Sequence, residues 1–473
     1  AMVKDCLRCG KCKPVCSTHV PRANLLYSPR NKILGTSLLI EAFLYEEQTR
    51  RGVSLAHWAE FDDVAAHCTV CHRCEKPCPV DIDFGDVTIA MRNLLRKQGK
   101  QKFNLGTTAA MTFLTIKDPM FIKGIREVMI RFGYAAQNKL YQLGKSLHLI
   151  QDQVAHPPAT VHKPTVRTQI INFINKPMPG NLPKRSARAL LDIEDDKVIP
   201  VIRNPKLSAE ESEAVFYFPG CGSERLFSQV GLATQAMLYE VGATTVLPPG
   251  YLCCGYPQTS GGQEDKGQRI TTDNRVLFHR VANTLNYLDI KTVIVSCGTC
   301  MDQLQKYQFE RIFPGCRLLD IHEYLMEKGV KLDGVEGTRY MYHDPCHNPM
   351  KTYAPLKVTS ELMGTAVPLN DRCCGESGTL AVTRPDISTQ VRFRKQEEME
   401  QGANELRADG FAGQVKVLTS CPSCLQGLSR FRDDADTDAD YIVVELAKNI
   451  LGDNWMAEYV NRANTGSIER VLL

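Results

Sequence analysis

Eighteen of the 19 cysteines fall into four sets whose spacing could hold metal. Near the N-terminus, Cys6-x-x-Cys9-x-x-Cys12-x-x-x-Cys16 recurs as Cys68-x-x-Cys71-x-x-Cys74-x-x-x-Cys78-Pro79. In the C-terminal half a five-cysteine pattern is written twice. Its first copy is Cys221, Cys253-Cys254-Gly255 and Cys297-x-x-Cys300; its second is Cys346, Cys373-Cys374-Gly375 and Cys421-x-x-Cys424. Equivalent cysteines lie 125, 120 and 124 residues apart, so this half is an internal duplication and each copy should be one structural unit. Clustered thiolates are soft ligands that select zinc or iron–sulfur clusters.

The N-terminal spacing is that of bacterial ferredoxins, in which three close thiolates wrap one [4Fe–4S] cube and the fourth reaches the other cluster. It pairs Cys6, Cys9 and Cys12 with Cys78, and Cys68, Cys71 and Cys74 with Cys16. Ser17 stands where proline would follow the first motif. Zinc, which takes four thiolates tetrahedrally, would leave cysteines over. In the duplicated half, adjacent cysteines diverge along an extended segment and suit an irregular cluster better than one tetrahedral ion. Gly255 and Gly375 are expected to let the backbone pass close to that cluster. An ordinary cluster or zinc in one or both sets remains the plainer alternative.

The elements that must position these thiols can be read from periodicity. Ser37 is expected to cap a helix carrying Leu39, Ala42 and Phe43 inward and ending at Gly52; Asp83 should open another carrying Phe84, Val87, Met91 and Leu94. Ile125, Val128, Met129 and Phe132 repeat at helical spacing, and the prolines from Pro157 to Pro183 read as an extended surface connector. In each repeat a strand-like run ends on the first cysteine (Ala214–Phe218; Arg339–Tyr342) and another on the C-x-x-C (Thr292–Val295; Val415–Leu418), with a helical pattern behind it. Strand, cysteine turn, helix is the βα arrangement, which gathers the thiols at one sheet edge beside helix N-termini, where negative charge is stabilised. The expected fold class is α+β multidomain. Residues 1–100 form an α-helical ferredoxin domain, 101–213 a helical segment and basic proline-rich linker, 214–335 the first repeat and 336–473 the second.

Composition sets the bounds. A chain of 473 residues with 43% hydrophobic and 23% charged residues is a multidomain globular protein. Net charge is +4, yet residues 92–190 carry 17 Lys/Arg against three acids, either a solvated surface or a docking face for an acidic partner or anionic lipid. No apolar run is long enough to span a bilayer and no signal-peptide pattern opens the chain. Cysteine-rich motifs without an export signal point to a reducing, cytoplasmic compartment, with contact at the inner face of a membrane as an option. The opening Ala1-Met2 is compatible with a piece of a longer polypeptide. His148, His156 and His162 read as solvated, Cys316 as a buried structural thiol and His322 as part of an ordinary helix. His343 and His347 flank Cys346, either to bond cluster sulfur or shuttle protons, or as core residues.

Two cluster motifs separated by helices resemble the α-helical ferredoxin domain of succinate dehydrogenase and glycolate oxidase iron–sulfur subunits. Tyr217-Phe-Pro-Gly-Cys221, Leu252-Cys-Cys-Gly255, His343-Asp-Pro-Cys-His347 and Arg372-Cys-Cys-Gly375 resemble the paired CCG domains of heterodisulfide reductase and of glycolate, lactate and anaerobic glycerol-3-phosphate oxidation systems. The resemblance implies two [4Fe–4S] clusters at the N-terminus and one or two further clusters, noncubane where a five-cysteine set is complete. Both sets, Cys221, Cys253, Cys254, Cys297, Cys300 and Cys346, Cys373, Cys374, Cys421, Cys424, are complete. It also implies an electron-transfer component. Its donor would be an FAD-dependent 2-hydroxy-acid dehydrogenase, as a separate polypeptide or as a further part of the chain, because no dinucleotide fingerprint follows a strand here. Its acceptor would be quinone or another carrier. Nucleic acid is not an expected partner. The alternatives are a disulfide or heterodisulfide reductase acting at the CCG clusters, and a zinc-stabilised binding scaffold.

Overall fold

The computed structural model describes residues 3–19, 27–49, 61–101, 105–150, 164–180, 182–207, 212–378 and 380–473. Helices carry the N-terminal third: α1 (Pro29–Thr49), α2 (Phe61–Ala66), α3 (Phe84–Lys97), α4 (Leu105–Thr115), α5 (Pro119–Arg126), α6 (Ala135–Ser146) and α7 (Val166–Ile174), with a π-helical stretch over Glu127–Tyr134. Helix α1 begins earlier than the sequence suggested. Pro29 occupies the first turn, where its missing N–H costs nothing, and the Ser28 hydroxyl accepts from Asn31 N, so Ser37 lies mid-helix and Ala42 is exposed. Gly52 lies outside the described residues. Asp83 caps α3 as expected, accepting from Gly85 N at 2.6 Å. The buried stripe of α3 is Phe84, Val87, Met91 and Leu95; Leu94 is 37% exposed, because the step that follows Met91 inward is four residues.

Among the described residues ten strands make two sheets, β1 (Val198–Ile202), β2 (Ala214–Phe218), β3 (Thr244–Val246), β4 (Ile290–Val295), β5 (Arg317–Asp320), β6 (Thr338–His343), β7 (Leu369–Asn370), β8 (Gln414–Thr419), β9 (Asp438–Tyr441) and β10 (Ile468–Leu472). The first sheet has the order β10-β1-β3-β2-β4-β5 and the second β7-β6-β8-β9. The parallel quartet β3-β2-β4-β5 matches β7-β6-β8-β9 strand for strand, which is the duplication in three dimensions. The first sheet also recruits β1 from the stretch before the first repeat and β10 from the end of the chain. They pair antiparallel from Val198↔Leu472 to Ile202↔Ile468.

The two sheets share one core. Tyr217, Leu238 and Ile294 of the first half pack with Tyr342, Leu418 and Tyr441 of the second, so neither repeat buries its apolar face alone. The proline-studded stretch is not simply an extended connector. Thr165 caps α7, and α7 packs along the helix Pro385–Leu406. Lys176 follows it inward to Asp434 Oδ2 at 2.5 Å.

Candidate functional site

In a doubly wound parallel sheet, ligands bind beyond the strand C-termini at the point where strand order reverses. Here that point lies between β2 and β4, and again between β6 and β8. Cys221 follows β2 and Cys297 follows β4; Cys346 follows β6 and Cys421 follows β8. Cys297 and Cys421 each cap a helix, Gly298–Leu304 and Pro422–Ser429, in extended conformation with their carbonyls accepting the first helical bond. Behind each lies the same polar pair: Tyr217 OH to Ser296 Oγ at 2.7 Å and Tyr342 OH to Ser420 Oγ at 3.2 Å.

Each five-thiol set is contiguous. Side-chain hydrogen bonds run Cys221, Cys253, Cys254, Cys300, Cys297 in the first and Cys346, Cys373, Cys374, Cys424, Cys421 in the second, with Cys374 Sγ and Cys424 Sγ 3.4 Å apart. Nine of the ten are buried, Cys346 is half-buried, and all are free thiols. Buried side by side, they cannot all ionise. A hydrogen bond from Cys253 holds Cys254 down to about 6, and one from Cys300 holds Cys297 down to about 7, while Cys221 and Cys300 are pushed well up. Cys373 is likewise depressed by Cys346, and Cys346, Cys374 and Cys424 are raised. Only bound cationic metal would let each set deprotonate fully, so the donor chemistry fits a multinuclear metal–sulfur centre.

Gly255 and Gly375 have φ of +90° and +82°. Their role differs from the expected one. A Cβ at Gly255 would meet Gly267 O at 2.9 Å and one at Gly375 would meet Arg392 Cγ at 2.6 Å, so the close approach is to the helix behind the cysteines. Gly298 is needed for another reason: a Cβ there would sit 1.6 Å from the carbonyl oxygen of His347, where the two repeats touch.

In the N-terminal domain Cys6, Cys9, Cys12 and Cys78 line one small cavity together with Cys74. Cys16 and Cys74 both lie within electrostatic reach of Cys68 and Cys71. Burial pushes the Cys16 and Cys74 thiols up. Cys71 goes the other way, to about 5, because the Cys346 thiol bonds to it. One cavity of about 1490 Å³ is lined by Cys68 and Cys71, by four thiols of the first set and by all five of the second. Apolar residues of α4, α5 and the π-helical stretch, among them Phe113, Ile125 and Met129, form the rest of its wall.

Arg73, Tyr256 and Asp302 carried no signal in the sequence, whereas the histidines beside them did. Arg73 donates to Asp371 O at 2.8 Å and Asp344 O at 3.2 Å, beside Cys71, Cys346 and Cys373. Tyr256 OH sits 3.1 Å from His347 Nε2, and His347 Nδ1 lies 2.5 Å from Asp302 Oδ2. His347 Nε2 also faces Val70 O at 2.9 Å, so this histidine joins the ferredoxin domain to both repeats. His343 is fully buried, and burial together with the Lys395 ammonium holds its imidazole far below the usual range. His322 is a core residue bonded to Asp320 Oδ1 at 2.6 Å. Cys316 is half-buried rather than buried, against the first repeat's core, and burial raises it to about 11. His148 is exposed, whereas His156 and His162 lie outside the described residues.

The basic segment resolves into two kinds of cation. Arg92, Arg126, Lys176 and Arg188 turn inward as struts: Arg92 donates to Ala65 O, Cys68 O and Ser260 O, and Arg188 pairs with buried Glu224. Lys117, Lys123, Arg131, Lys139 and Lys145 remain exposed. So do Met120 (83%), Phe121 (66%), Val128 (64%) and Phe132 (63%) on the same segment.

Fold and thiol geometry together define a protein in which a helical module with two ferredoxin-type cysteine motifs packs on a duplicated cysteine-rich α/β pair. The family comparisons agree. The chain matches a 4Fe–4S dicluster domain over residues 2–82, a cysteine-rich domain over 215–305 and again over 340–429, and a domain of unknown function over 429–473. It is 30% identical to an uncharacterized iron–sulfur protein of Methanocaldococcus jannaschii over 51% of this chain and 47% of that one. It is 22% identical to a probable glycolate oxidase iron–sulfur subunit of Bacillus subtilis over 89% and 87% of the two chains. It is also 22% identical to one component of the dihydromethanophenazine:CoB–CoM heterodisulfide reductase of Methanosarcina barkeri, over 94% and 93%. Against several curated relatives the chain spans only about half their length, 47%, 56% and 40%. No solved structure matches significantly.

Proposed function

We propose that this chain is the iron–sulfur electron-transfer component of an oxidoreductase. In this reading Cys6, Cys9, Cys12 and Cys78 hold one [4Fe–4S] cluster, and Cys68, Cys71, Cys74 and Cys16 a second. Cys221, Cys253, Cys254, Cys297 and Cys300 hold a third centre, and Cys346, Cys373, Cys374, Cys421 and Cys424 a fourth, either or both of them noncubane. Such clusters supply one-electron redox chemistry when bound. The protein's own part is to insulate the thiols, neutralise their charge through Arg73 and its neighbours, and keep successive sites adjacent. The observation that carries the reading is the contact of Cys71 with Cys346, which makes the ferredoxin domain and the second cysteine set one continuous path.

The donor in this reading is an FAD-dependent 2-hydroxy-acid dehydrogenase, a partner or another part of the polypeptide, and the acceptor is a quinone or similar carrier. No helix among the described residues is long and apolar enough to cross a membrane. Phe132 and the exposed Met120, Phe121 and Val128, which also line the open cavity, are flanked by Lys117, Lys123 and Arg131 and favour peripheral docking on the cytoplasmic face of an anionic bilayer. Anaerobic purification from the native host, with iron, sulfide and flavin analysis, tests the proposal. Iron and sulfide with a co-purifying flavoprotein support it; zinc without sulfide would sink it in favour of a binding scaffold.

A second reading has one observation in its favour. The two five-cysteine sets line one cavity of about 1490 Å³ rather than two separate ones, which suits cleavage of a disulfide between them. Turnover of a low-molecular-weight disulfide by the reduced, fully loaded protein would establish that reading, and inactivity would dismiss it.

A further inference from the structure

The two cysteine sets differ at the last residue of an equivalent strand. β2 ends on Phe218 and β6 on His343, and the 125-residue offset that relates Cys221 to Cys346 also relates this pair. Phe218 is buried in the first repeat's core, its ring 6.0 Å from that of Phe278, and it offers no ligand. His343 is fully buried, and a ring nitrogen lies within 4.8 Å of both Cys374 Sγ and Cys424 Sγ.

One ring nitrogen has partners and the other has none among the described residues. Nδ1 lies 3.2 Å from the carbonyl oxygen of Asn370, an acceptor for its proton in one of the two tautomers. Lys395 Nζ, 3.0 Å from the same nitrogen, has acceptors of its own in Asn370 Oδ1 and in Glu398 Oε2 at 2.8 Å. In that tautomer Nε2 carries a lone pair, and it is buried with no hydrogen-bond partner among the described residues. A buried polar atom without a partner calls for a specific cause. An imidazole whose second nitrogen donates to a backbone carbonyl is the arrangement found at metal-ligating histidines.

We infer that His343 Nε2 is a ligand, alongside Cys374 and Cys424, of the metal centre held by the second cysteine set. The duplicated halves then hold unlike centres, all-sulfur in the first and sulfur plus imidazole in the second. This rests on the reading that the five-cysteine sets bind iron–sulfur clusters. A neutral nitrogen donor adds no negative charge, and imidazole ligation raises cluster potentials relative to all-thiolate ligation. Arg392 and Lys395, both buried near Cys374, act in the same direction. A centre held in this way would be easier to reduce than an all-thiolate one.

The test uses the full chain loaded anaerobically with iron and sulfide, partly reduced, and examined by pulsed EPR for nitrogen hyperfine coupling. The expected result is a strong coupling that changes on ¹⁵N-histidine labelling, disappears in His343→Phe and persists in His347→Asn. In His343→Phe the potential of the second centre should fall. A fully loaded protein without histidine coupling, or a coupling that survives His343→Phe, would overturn the assignment while leaving the proposed function intact. If His343→Phe does not fold, coupling in labelled wild type that persists in His347→Asn supports the assignment, and its loss there overturns it. Absence of iron and sulfide overturns both readings and is seen by metal analysis before any spectrum.

Discussion

Cys71 and Cys346, 275 positions apart in the chain, are hydrogen-bonded neighbours, and the bond depresses one thiol while raising the other. A proposed ligand of the ferredoxin domain and a proposed ligand of the cysteine-rich half thus share one protonic environment. Cys71→Ser should remove one cluster, about four irons per chain, and should also isolate the second five-cysteine centre from reduction through the N-terminal domain. Rapid-freeze EPR after reduction checks this; unchanged internal transfer would place the electron path elsewhere.

Arg73 bridges the same two sites from the side. Removing an outer partner of metal ligands commonly weakens a site about 10–100-fold, so Arg73→Ala should lower metal retention in the second set and shift its potential negative. Arg73→Lys, which keeps the charge without the planar fork, should recover most of the potential and less of the retention. Redox titration and chelator challenge separate the two effects.

Gly298→Ala would drive a methyl group into the carbonyl of His347, which is backbone and cannot swing aside. Overpacking of this kind costs about 1–3 kcal/mol. It should appear as a lower unfolding temperature with weakened contact between the repeats, whereas Gly329→Ala, with nothing within 4 Å, should be affected only by its backbone conformation. Equal losses for both would show that steric approach at Gly298 is unimportant.

The exposed apolar and basic residues around α5 give an ionic-strength test. Each basic residue near an anionic surface contributes about 1 kcal/mol, so Lys123→Glu with Phe121→Asp should cut cosedimentation with phosphatidylserine vesicles well over tenfold. Binding of wild type should fall with salt. Equal binding to neutral vesicles would remove the electrostatic part of the proposal.

Asp63 and Arg384 join α2 to the second repeat through a 2.6 Å ion pair, with Tyr27 OH donating to the same carboxylate at 2.7 Å. Burial alone would raise Asp63; His67, Tyr27 and Arg384 together lower it. His67 is itself held down to about 4 by burial and is neutral at pH 7, which leaves Arg384 as the charged partner there. A carboxylate depressed in the folded state contributes stability that is complete above its unfolded value, near 3.8, and lost as pH falls through the lower folded value. Asp63→Asn should therefore destabilise the docking by about 1 kcal/mol at pH 7, because Arg384 keeps Asp386 as a partner at 2.8 Å. The difference from wild type should shrink only below about pH 4, read by urea denaturation of the intact chain.

Much of the site was legible in the order of residues. Thiol spacing, repeat offsets and the strand runs ending on Cys221, Cys297, Cys346 and Cys421 are local patterns, and local geometry obeys them because a strand followed by a helix must turn where the cysteines stand. Errors in helix phase were small and had local causes, such as Pro29 setting the start of α1. Tertiary structure alone decided what the thiols face. It put Cys71 against Cys346, gathered nine of the ten thiols of the two five-cysteine sets around one cavity, returned β10 to pair with β1, buried Arg188 and turned Arg92 onto backbone carbonyls. The physical reason is that neither repeat can bury its apolar face alone: shared burial of Tyr217, Tyr342 and Tyr441 fixes how the halves meet, and that meeting carries no periodicity for a sequence to display.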